Sequence, residues 1–529
     1  MKKIMKQYSF ASRLKSLALV FGIALAFASC ANEDIAQNPN GTDNNKDFTI
    51  FSTGDPATRT SMESNGAFYW EAGDKIWVKD DNGTWQQSRN APTEKTASFK
   101  FEVPGKFTKT TTYKVYYPGQ NGNQNQVTIA ANQSQAEPNT TTHFGTSGDC
   151  GMADATWSNT KNGFAFTLDH KVAYLLFLPR TSNTILHDCY LTKVEVNSDN
   201  DITSTYTLDP TTGKLIGTGT GKQITIITKG STGSTYKNGF PLINNTTSAA
   251  TNGAYVVIKP GTHTLKIRYW VKDLVTKVEG TITKTLSSAT YDQNKYYNIT
   301  ANLDVKNYDG DHYYMWDAQQ QYWYGYEWTK HLGAGVGQPT LQGQSAGNYA
   351  KNNSDVSRWY HGGGGSGRFD ATQSCAGLPN ANEMSWYAMY GDPRWDADGL
   401  WTTMGHLYKG GMWFKKKSVL QAENHYDTEK SADNTSDLRT TWNSYTNTNS
   451  SITNSGLPSA ADAGNYFYLP ALGYYNSGQL DFVGALGTFW SSSASSWGSS
   501  TAYGLNFDSG YARVDNYDRT SGFRAEAFQ

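Results

Sequence analysis

The clearest pattern of apolar and polar positions lies near the end of the chain. Apolar side chains alternate with polar or small ones from Tyr503 to Phe507, and Asp508-Ser509-Gly510 follows as a turn signal. The alternation resumes with Ala512 and Val514. The pattern predicts a β-hairpin with one buried face and one face of Tyr, Arg, Asp and Asn side chains. Surfaces of this composition are typical of binding sites, because Tyr offers a large contact area at low entropy cost.

Short strands also dominate the first 304 residues. Phe48–Phe51, Thr112–Tyr117, the apolar run Val172–Leu178 and the alternating Leu265–Val271 each read as a strand. They are separated by turns rich in Asn, Gly and Thr, and no convincing helical period occurs before residue 305. The pattern predicts a mainly β protein built from β-sandwiches.

The character of the chain changes after Asp304, because eleven of the 16 Trp lie between Trp316 and Trp497. A helix is predicted after Pro379, with Asn380 as its N-cap and Glu383 completing a capping box. The segment 401–414 predicts two strands joined by a turn at Gly410-Gly411, and the polar segment 421–464 predicts a long loop.

Composition narrows the class of protein. The chain has 529 residues, a net charge of -1 and only 17% charged residues, which argues against binding to nucleic acid. It contains 51 Gly and 34 Tyr, as β-rich extracellular proteins do.

The N-terminus predicts export. Basic residues precede the apolar run Leu17–Ala28, which is too short to span a membrane and is typical of a signal peptide over residues 1–29. Small residues directly before Cys30 resemble a bacterial lipobox, which implies a lipid on Cys30 that anchors the chain in the outer membrane. The alternative is an ordinary cleaved signal with an incidental Cys. Residues 30–47 then form a polar tether.

Three further cysteines leave two interpretations open. Cys150 and Cys189 could form a disulfide and leave Cys375 alone, or all three could be small buried apolar side chains.

The first half resembles a known family. Thr58-Arg-Thr-Ser61, the segment 68–77 and the segment 166–173 resemble fimbrillin-like lipoproteins. The resemblance implies two tandem transthyretin-like β-sandwiches, at residues 48–158 and 159–304, and assembly into pili by donor-strand exchange with other pilin subunits. It also implies proteolysis after an Arg near the first strand, for which Arg59 is the candidate; the alternative for Arg59 is a solvated charge at a strand edge.

The second half, residues 305–529, resembles another family. Phe467-Tyr-Leu-Pro-Ala, Phe489-Trp-Ser-Ser-Ser, the segment 503–510 and the segment 519–524 are similar to α+β C-type-lectin-like domains, some of which are varied by diversity-generating retroelements. The resemblance implies a fixed framework at Trp490, Ser491, Ser492, Ala502, Tyr503, Leu505, Phe507, Gly510, Arg519, Gly522, Phe523 and Arg524. It implies that the exposed positions include the predicted ligand-binding residues Ser495, Ser496, Ser500, Asn506, Asp508, Tyr511, Arg513, Asp515, Asn516, Tyr517 and Asp518. We add Trp497 to this set as a binding aromatic; the alternative for Trp497, Tyr511 and Tyr517 is packing under loops.

Motifs for catalysis and metal binding are weak. Gln338-Pro-Thr and Leu378-Pro-Asn380 lack the acidic or amide pair that a calcium-binding lectin loop needs, and the segment 396–399 reads as a solvated turn. The His residues lack the spacing of a zinc site. The segment 343–347 matches the letters of a nucleophile elbow, but it follows no apolar strand and reads as a Gly-rich loop. We therefore expect no enzyme activity, no cofactor and no metal.

The combined interpretation is a surface-exposed outer-membrane lipoprotein of a fimbrium. A folded C-terminal domain can hardly donate a strand, so we expect a tip adhesin that accepts a strand and binds a protein or glycan through its C-terminal hairpin. The alternative is a surface glycan-binding lipoprotein of a nutrient-uptake system.

Overall fold

The computed structural model describes residues 5–9, 47–53, 61–62, 68–454, 456–459 and 461–528. The chain forms two compact units. Unit 1 comprises Met1–Ser182, Tyr190–Val271 and Ile282–Leu303, and unit 2 comprises Asn183–Cys189, Lys272–Thr281 and Asp304–Gln529. The predicted lipidation site Cys30 and the predicted cleavage site Arg59 lie outside the described residues.

The elements up to residue 303 are almost all strands, which confirms the mainly β prediction. The strands are β1 Met5–Ser9, β2 Phe48–Thr53, β3 Ser61–Met62, β4 Phe68–Tyr69, β5 Trp77–Lys79, β6 Trp85–Gln87, β7 Lys100–Pro104, β8 Tyr113–Tyr117, β9 Gln126–Ile129, β10 Asn132–Gln135, β11 Gly151–Ser158, β12 Gly163–Phe166, β13 Asp169–His170, β14 Ala173–Arg180, β15 Cys189–Ser198, β16 Ser204–Leu208, β17 Leu215–Ile216, β18 Gln223–Thr228, β19 Phe240–Pro241, β20 Ala254–Ile258, β21 Gly261–His263, β22 Leu265–Asp273, β23 Glu279–Thr285, β24 Ala289–Tyr291 and β25 Lys295–Asn302. Two short helices, α1 Phe144–Ser147 and α2 Ala249–Asn252, and a 3-10 turn at Thr184–Asp188 interrupt them.

The apolar run that the sequence analysis places at residues 172–178 becomes the central strand β14. It lies in a four-stranded sheet of order β1-β25-β14-β20, parallel to β25 and antiparallel to β20. Every residue from Ala173 to Pro179 is buried, as expected for a strand covered on both faces. At the edge of this sheet, β1 pairs antiparallel with β25, so that Met5 lies opposite Ile299.

A second sheet carries a core of its own. Its strand order is β6-β5-β8-β11-β12-β2-β7, and β2 and β12 pair in parallel. Phe51 stacks on Phe164 at 5.0 Å between ring centroids, and Trp70 meets Phe101 at 5.0 Å edge to face. These large buried rings supply much of the apolar area of the core of this sheet. The division of unit 1 into two sandwiches stays a prediction.

After residue 303, strands and helices mix. The elements are β26 Lys306–Tyr308, β27 Tyr313–Tyr314, α3 Ala381–Tyr390, β28 Arg394–Thr403, β29 His406–Lys415, α4 Lys417–Ala422, β30 Tyr445–Asn447, α5 Ser451–Asn454, β31 Tyr466–Pro470, β32 Tyr474–Asn476, β33 Gln479–Asp481, β34 Gly487–Ala494, β35 Thr501–Phe507, β36 Ala512–Asp518 and β37 Phe523–Arg524, with 3-10 turns at Trp328–Lys330 and Ala463–Asn465. Among the described residues, none of the helices is both long and apolar enough to cross a membrane.

The predicted helix after Pro379 is confirmed as α3. The Asn380 side chain accepts a hydrogen bond from the Glu383 backbone N–H at 3.0 Å, and the Glu383 carboxylate accepts one from the Asn380 N–H at 2.8 Å. This reciprocal capping box satisfies two backbone donors that a helix start would otherwise leave without partners.

The segment 401–414 does form two antiparallel strands joined by a turn, but the turn is at Met404-Gly405, and Gly410-Gly411, where the sequence predicts it, lies within β29. β28 and β29 pair antiparallel, and Thr403 lies opposite His406. The two turn residues both have positive φ, 45° at Met404 and 84° at Gly405, as a two-residue hairpin turn of matching twist requires.

The three described cysteines are free and buried, so the structure does not contain the disulfide suggested for Cys150 and Cys189. Burial raises the pKa of the Cys189 and Cys375 thiols to about 12. All three cysteines are therefore small buried apolar side chains, as the alternative interpretation predicts.

Candidate functional site

The terminal hairpin forms with the predicted pairing and turn, but β35 is buried on both faces from Ala502 to Phe507, and only β36 keeps a partly exposed polar face. β35 and β36 pair antiparallel with Phe507 opposite Ala512 and Leu505 opposite Val514. The Asp508 carboxylate closes the turn by accepting the N–H groups of Gly510 at 2.7 Å and Tyr511 at 3.2 Å. The hairpin lies within a six-stranded sheet of order β27-β37-β34-β35-β36-β30.

One face of the hairpin is part of a core. Tyr503, Leu505, Phe507, Ala512 and Val514 are all buried and pack with the apolar residues of α3. Burying Leu505, Phe507 and Val514 stabilises the hairpin by about 1.5–3 kcal/mol each. The hairpin backbone is therefore fixed before any ligand binds.

Two buried arginines complete the framework below the hairpin. The Arg519 guanidinium donates to the backbone carbonyls of Thr501 at 3.0 Å, His361 at 2.9 Å and Gly363 at 2.8 Å, and it lies 4.4 Å from the centroid of the Trp316 ring. Burial lowers the Arg519 pKa to about 10. Arg519 thus ties the loop at residues 361–363 to the start of β35 without a carboxylate partner.

Arg524 is buried as an ion pair instead. Its Nη2 donates to Glu526 at 2.9 Å, and its Nη1 donates to the Asp309 carbonyl at 2.9 Å. Burial acts to lower the pKa of Arg524, but the charge of Glu526 and the nearby Tyr313 and Asp309 outweigh it and raise the pKa. The pairing is what makes a fully buried charge tolerable.

The opposite face of β36 carries half-buried polar side chains that remain partly accessible. We call Tyr511, Arg513 and Asp515 the charged face. The Arg513 guanidinium lies 5.2 Å from the Tyr511 ring centroid and 4.0 Å from the Asp515 carboxylate, and its Nε donates to Thr446 Oγ1 at 3.2 Å. The Arg513 side chain remains 42% exposed, so it can still meet a ligand.

Two tryptophans form a separate surface, which we call the indole pair. Trp442 and Trp497 are 42% and 71% exposed, and their ring centroids are 5.2 Å apart at an interplanar angle of 52°. The Trp442 Nε1 donates to Asn516 Oδ1 at 3.1 Å. Side chains alternate along β36, which places Asn516 on the face opposite Arg513 and Asp515.

The predicted ligand-binding residues therefore divide between two surfaces. Trp497 and Asn516 belong with the indole pair, whereas Tyr511, Arg513 and Asp515 form the charged face. Ser500 and Asp518 are exposed, and Ser496 and Asp508 are half-buried. No single surface gathers the whole predicted set.

Two of the residues expected to be exposed are buried. Ser495 is 1% exposed because its hydroxyl accepts the Trp497 N–H at 3.1 Å inside the loop between β34 and β35. Asn506 is 5% exposed and accepts the Tyr511 hydroxyl at 2.7 Å. Tyr517 is half-buried and packs against Phe523, with 5.2 Å between ring centroids. A direct ligand contact from Ser495 or Asn506 would need a local rearrangement.

The predicted framework agrees with the structure at most positions. Ser492 is half-buried and Gly510 is exposed in the turn, and the other framework residues are buried.

The polar segment 421–464 contributes a strand that the sequence analysis missed. Within the predicted loop, β30 pairs antiparallel with β36, Tyr445 opposite Val514. The Asn447 side chain fixes β30 to α3 by donating to the Ala388 carbonyl at 2.8 Å. The segment thereby brings Trp442 and Thr446 to the hairpin. The lone Trp in a run of Asn, Ser and Thr was the signal available in the sequence.

A cavity of about 520 Å³ lies elsewhere in unit 2. Trp328, Gln338, Gln344 and Met404 are among its lining residues. Gln338 is rigidly held, because its Nε2 donates to the Gly310 carbonyl at 3.0 Å and to the Tyr475 hydroxyl at 2.9 Å. The Gly-rich loop 343–347 thus lines a cavity wall.

In the described part of the chain, no group of three or more His, Cys, Asp or Glu side chains is arranged to hold a metal ion. The Asp396 carboxylate instead accepts the N–H groups of Asp398 at 3.1 Å and Gly399 at 2.7 Å. These residues form an irregularity within β28, where the register shifts between Asp396 and Leu400, so the segment is not the solvated turn that the sequence predicts.

Comparisons with known proteins give structural matches only. No protein-family model matches the chain, and no curated protein sequence does. A candidate cell adhesion protein from Bacteroides ovatus covers 49% of this chain and 94% of its own, at 14% identity and a TM-score of 0.30. The fimbrial anchor protein Mfa2 from Porphyromonas gingivalis covers 45% of this chain and 83% of its own, at 11% identity and a TM-score of 0.21. A fimbrial assembly protein from Parabacteroides distasonis covers 48% of this chain and 90% of its own, at 9% identity and a TM-score of 0.21. Similarity at this level supports no conclusion about fold or function.

Proposed function

We propose that the protein is a surface lipoprotein adhesin of fimbrial type, anchored through Cys30, which binds its ligand through the terminal hairpin of a lectin-like domain. The observation that carries the proposal is the contrast between the buried strand β35 and the accessible side chains of β36 and the indole pair. A buried framework of aromatic and arginine side chains fixes the backbone, and accessible Tyr, Arg, Asp and Trp side chains project from it.

This arrangement favours binding for a physical reason. A surface on rigid strands loses little conformational entropy when a ligand docks, so more of the contact energy appears as affinity. Tyr, Trp and Arg are also the residues that contribute most at binding surfaces. The exposed ion pair of Arg513 adds little to folding, which leaves binding as a reason for it to be present.

Strand β1 supports a place in a fimbrium. Met5–Ser9 pairs with the outer edge of β25, yet it falls within the predicted signal peptide. Removal of the signal peptide would leave the β25 backbone N–H and C=O groups open at that edge. An open edge is a template for strand addition, so the mature protein could accept a strand from a neighbouring subunit.

Adhesion is tested with purified full-length protein on epithelial cells and on immobilised mucin. We expect Arg513→Ala to reduce adhesion at least about fivefold. Arg368→Ala is the matched control, because Arg368 is a similarly exposed arginine that pairs with Asp370 two residues later. Adhesion that neither Arg513→Ala nor Trp497→Ala reduces, or no adhesion at all, would refute the proposal.

The tip position is tested by immunogold labelling of producing cells with antibody against unit 2. Label confined to filament ends supports a tip adhesin, whereas label along the shaft contradicts it.

Diversification of the hairpin by a retroelement has a genetic test. If it occurs, we expect a near-copy of the segment encoding residues 489–524 beside a reverse-transcriptase gene.

A further inference from the structure

The indole pair is held in place before any ligand binds. Tyr503, which is buried under the hairpin, donates its hydroxyl to the Asn443 carbonyl at 3.2 Å and accepts the Asn443 N–H at 3.3 Å. This contact fixes the backbone next to Trp442, and the hydrogen bond to Asn516 then fixes its indole. The framework thus positions Trp442 and Asn516, which come from different segments, beside each other.

The loop that carries Trp497 is closed by its own hydrogen bonds. The Ser495 N–H donates to the Thr501 carbonyl at 3.1 Å, and the Thr501 N–H donates to the Gly498 carbonyl at 3.3 Å. The loop is therefore anchored at its base while Trp497 projects from it with 71% exposure. A single exposed Trp needs no explanation, but two adjacent exposed indoles on fixed backbone do.

The two segments that carry the pair are polar and uncharged. Of the charged residues that β36 places opposite them, Asp518 opposite Thr501 is acidic, and Arg513 opposite Thr446 belongs to the charged face. The segments 441–447 and 495–501 consist of Thr, Trp, Asn, Ser, Tyr and Gly, with no Lys, Arg, Asp or Glu. Anionic ligands such as sulfated glycans or nucleic acids are recognised through Lys and Arg, which these segments lack. Hydroxyl and amide groups instead suit a ligand that has many neutral hydroxyl groups.

We propose that the indole pair binds an uncharged glycan, whose pyranose rings lay their C–H faces on the two indoles while Ser, Thr and Asn side chains bond to the hydroxyl groups. The inference rests on the proposed function and narrows its ligand to one class. The indole faces supply the apolar contact, and the amide of Asn516 is placed to donate through Nδ2 while its Oδ1 holds Trp442.

The angle between the rings narrows the ligand further. At 52° the two indoles do not form the flat platform that would match the face of a crystalline polysaccharide. They form an open V-shaped surface that suits a soluble polysaccharide chain or a terminal sugar. The pair is accordingly a site for soluble or branched glycans, and microcrystalline cellulose serves as a probe that should not bind.

The experiment uses the full-length protein on an array of neutral and acidic oligosaccharides, followed by titration calorimetry with the strongest neutral ligand. We expect neutral glycans to be retained in preference to acidic ones. Trp497→Ala and Trp442→Ala should each weaken binding about tenfold or more, while Trp497→Phe should recover part of the affinity because the ring face remains. Phe482→Ala is the control, because Phe482 is 47% exposed in the same unit and outside the pair.

Several outcomes would overturn the inference: no neutral glycan retained on the array, preference for acidic glycans, binding to microcrystalline cellulose, or affinities that both Trp→Ala variants leave within about twofold. Adhesion to mucin before and after periodate oxidation, which destroys sugar diols, separates the two proposals. If adhesion survives periodate oxidation but is lost in Arg513→Ala, the adhesin proposal stands and the glycan-binding site is rejected. Absence of adhesion in both conditions would reject the adhesin itself.

Discussion

Replacing Tyr503 with Phe should release the segment that carries Trp442 while leaving the hairpin folded. Tyr503 is fully buried, so the ring of Phe can occupy the same core position. The change removes only the hydroxyl that joins β35 to Asn443 through two hydrogen bonds, at 3.2 and 3.3 Å. These bonds are longer than the usual 2.7–3.0 Å, so each should contribute about 0.5–1 kcal/mol.

The loss of both bonds then amounts to about 1–2 kcal/mol for local opening of the segment. Since about 1.4 kcal/mol corresponds to a factor of ten, the opening equilibrium should rise about 5- to 30-fold. Hydrogen exchange followed by mass spectrometry measures this directly in peptides that cover residues 440–447. Faster exchange is expected there and not in peptides that cover α3, which does not depend on the hydroxyl.

Tyr475→Phe is the matched control for this experiment. The Tyr475 hydroxyl also makes two buried hydrogen bonds, to the Pro339 carbonyl at 2.8 Å and from Gln338 Nε2 at 2.9 Å. It should lower thermal stability at least as much as Tyr503→Phe but leave exchange at residues 440–447 unchanged. Unchanged exchange there in Tyr503→Phe, or equal acceleration in both variants, would refute the reasoning.

Three further predictions concern stability. Burial lowers the pKa of His143 from 6.5 to about 4, so His143 is protonated at a higher pH in the unfolded chain than in the folded protein. The protein should therefore lose about 3 kcal/mol of stability as the pH falls from 6.5 to 4. His143→Gln should flatten this part of the pH dependence of the urea midpoint, and an unchanged slope would contradict the assignment to His143. Asn380→Ala should cost about 1 kcal/mol by removing the cap of α3, measured by thermal unfolding, and Asn380→Ser should restore most of it; equal losses in both variants would count against the capping argument. Phe507→Ala should cost about 3–5 kcal/mol in urea unfolding, because its ring contacts Phe414 and Phe489 at 5.6 and 6.0 Å between centroids; a loss below about 1 kcal/mol would show that the core collapses to fill the space.

The elements that could be predicted from the sequence depend on short-range signals. The hairpin can be predicted from alternating residues and a turn signal. Helix α3 can be predicted from its N-cap Asn380 and from Glu383, which completes the capping box three residues later. Strand β30 could not be found in this way, because its partner β36 lies about seventy residues later and its own residues are polar. Its pairing is decided by long-range contacts such as that between Asn447 and α3.

The exposure of individual side chains was harder to predict than the strands that carry them. Alternation correctly assigns Val514 to the core and Arg513 to the solvent. It assigns Asn506 to the solvent as well, but the Tyr511 hydroxyl reaches across the turn and encloses it. Periodicity fixes the direction of a side chain, while its accessibility depends on neighbours that the pattern does not include.

The charged face has a consequence for how this molecule can change over time. Its ion pair is exposed, so it contributes at most about 1 kcal/mol to folding, and surface substitutions of this kind usually shift stability by less than about 0.5 kcal/mol. The residues beneath it, by contrast, each contribute several times that amount. Replacement of Arg513 or Asp515 therefore changes the stability of the fold little, whereas replacement of Tyr511 also removes the hydroxyl that hydrogen-bonds the buried Asn506. Mutations at Arg513 and Asp515 are accordingly retained or discarded according to what the new side chains recognise.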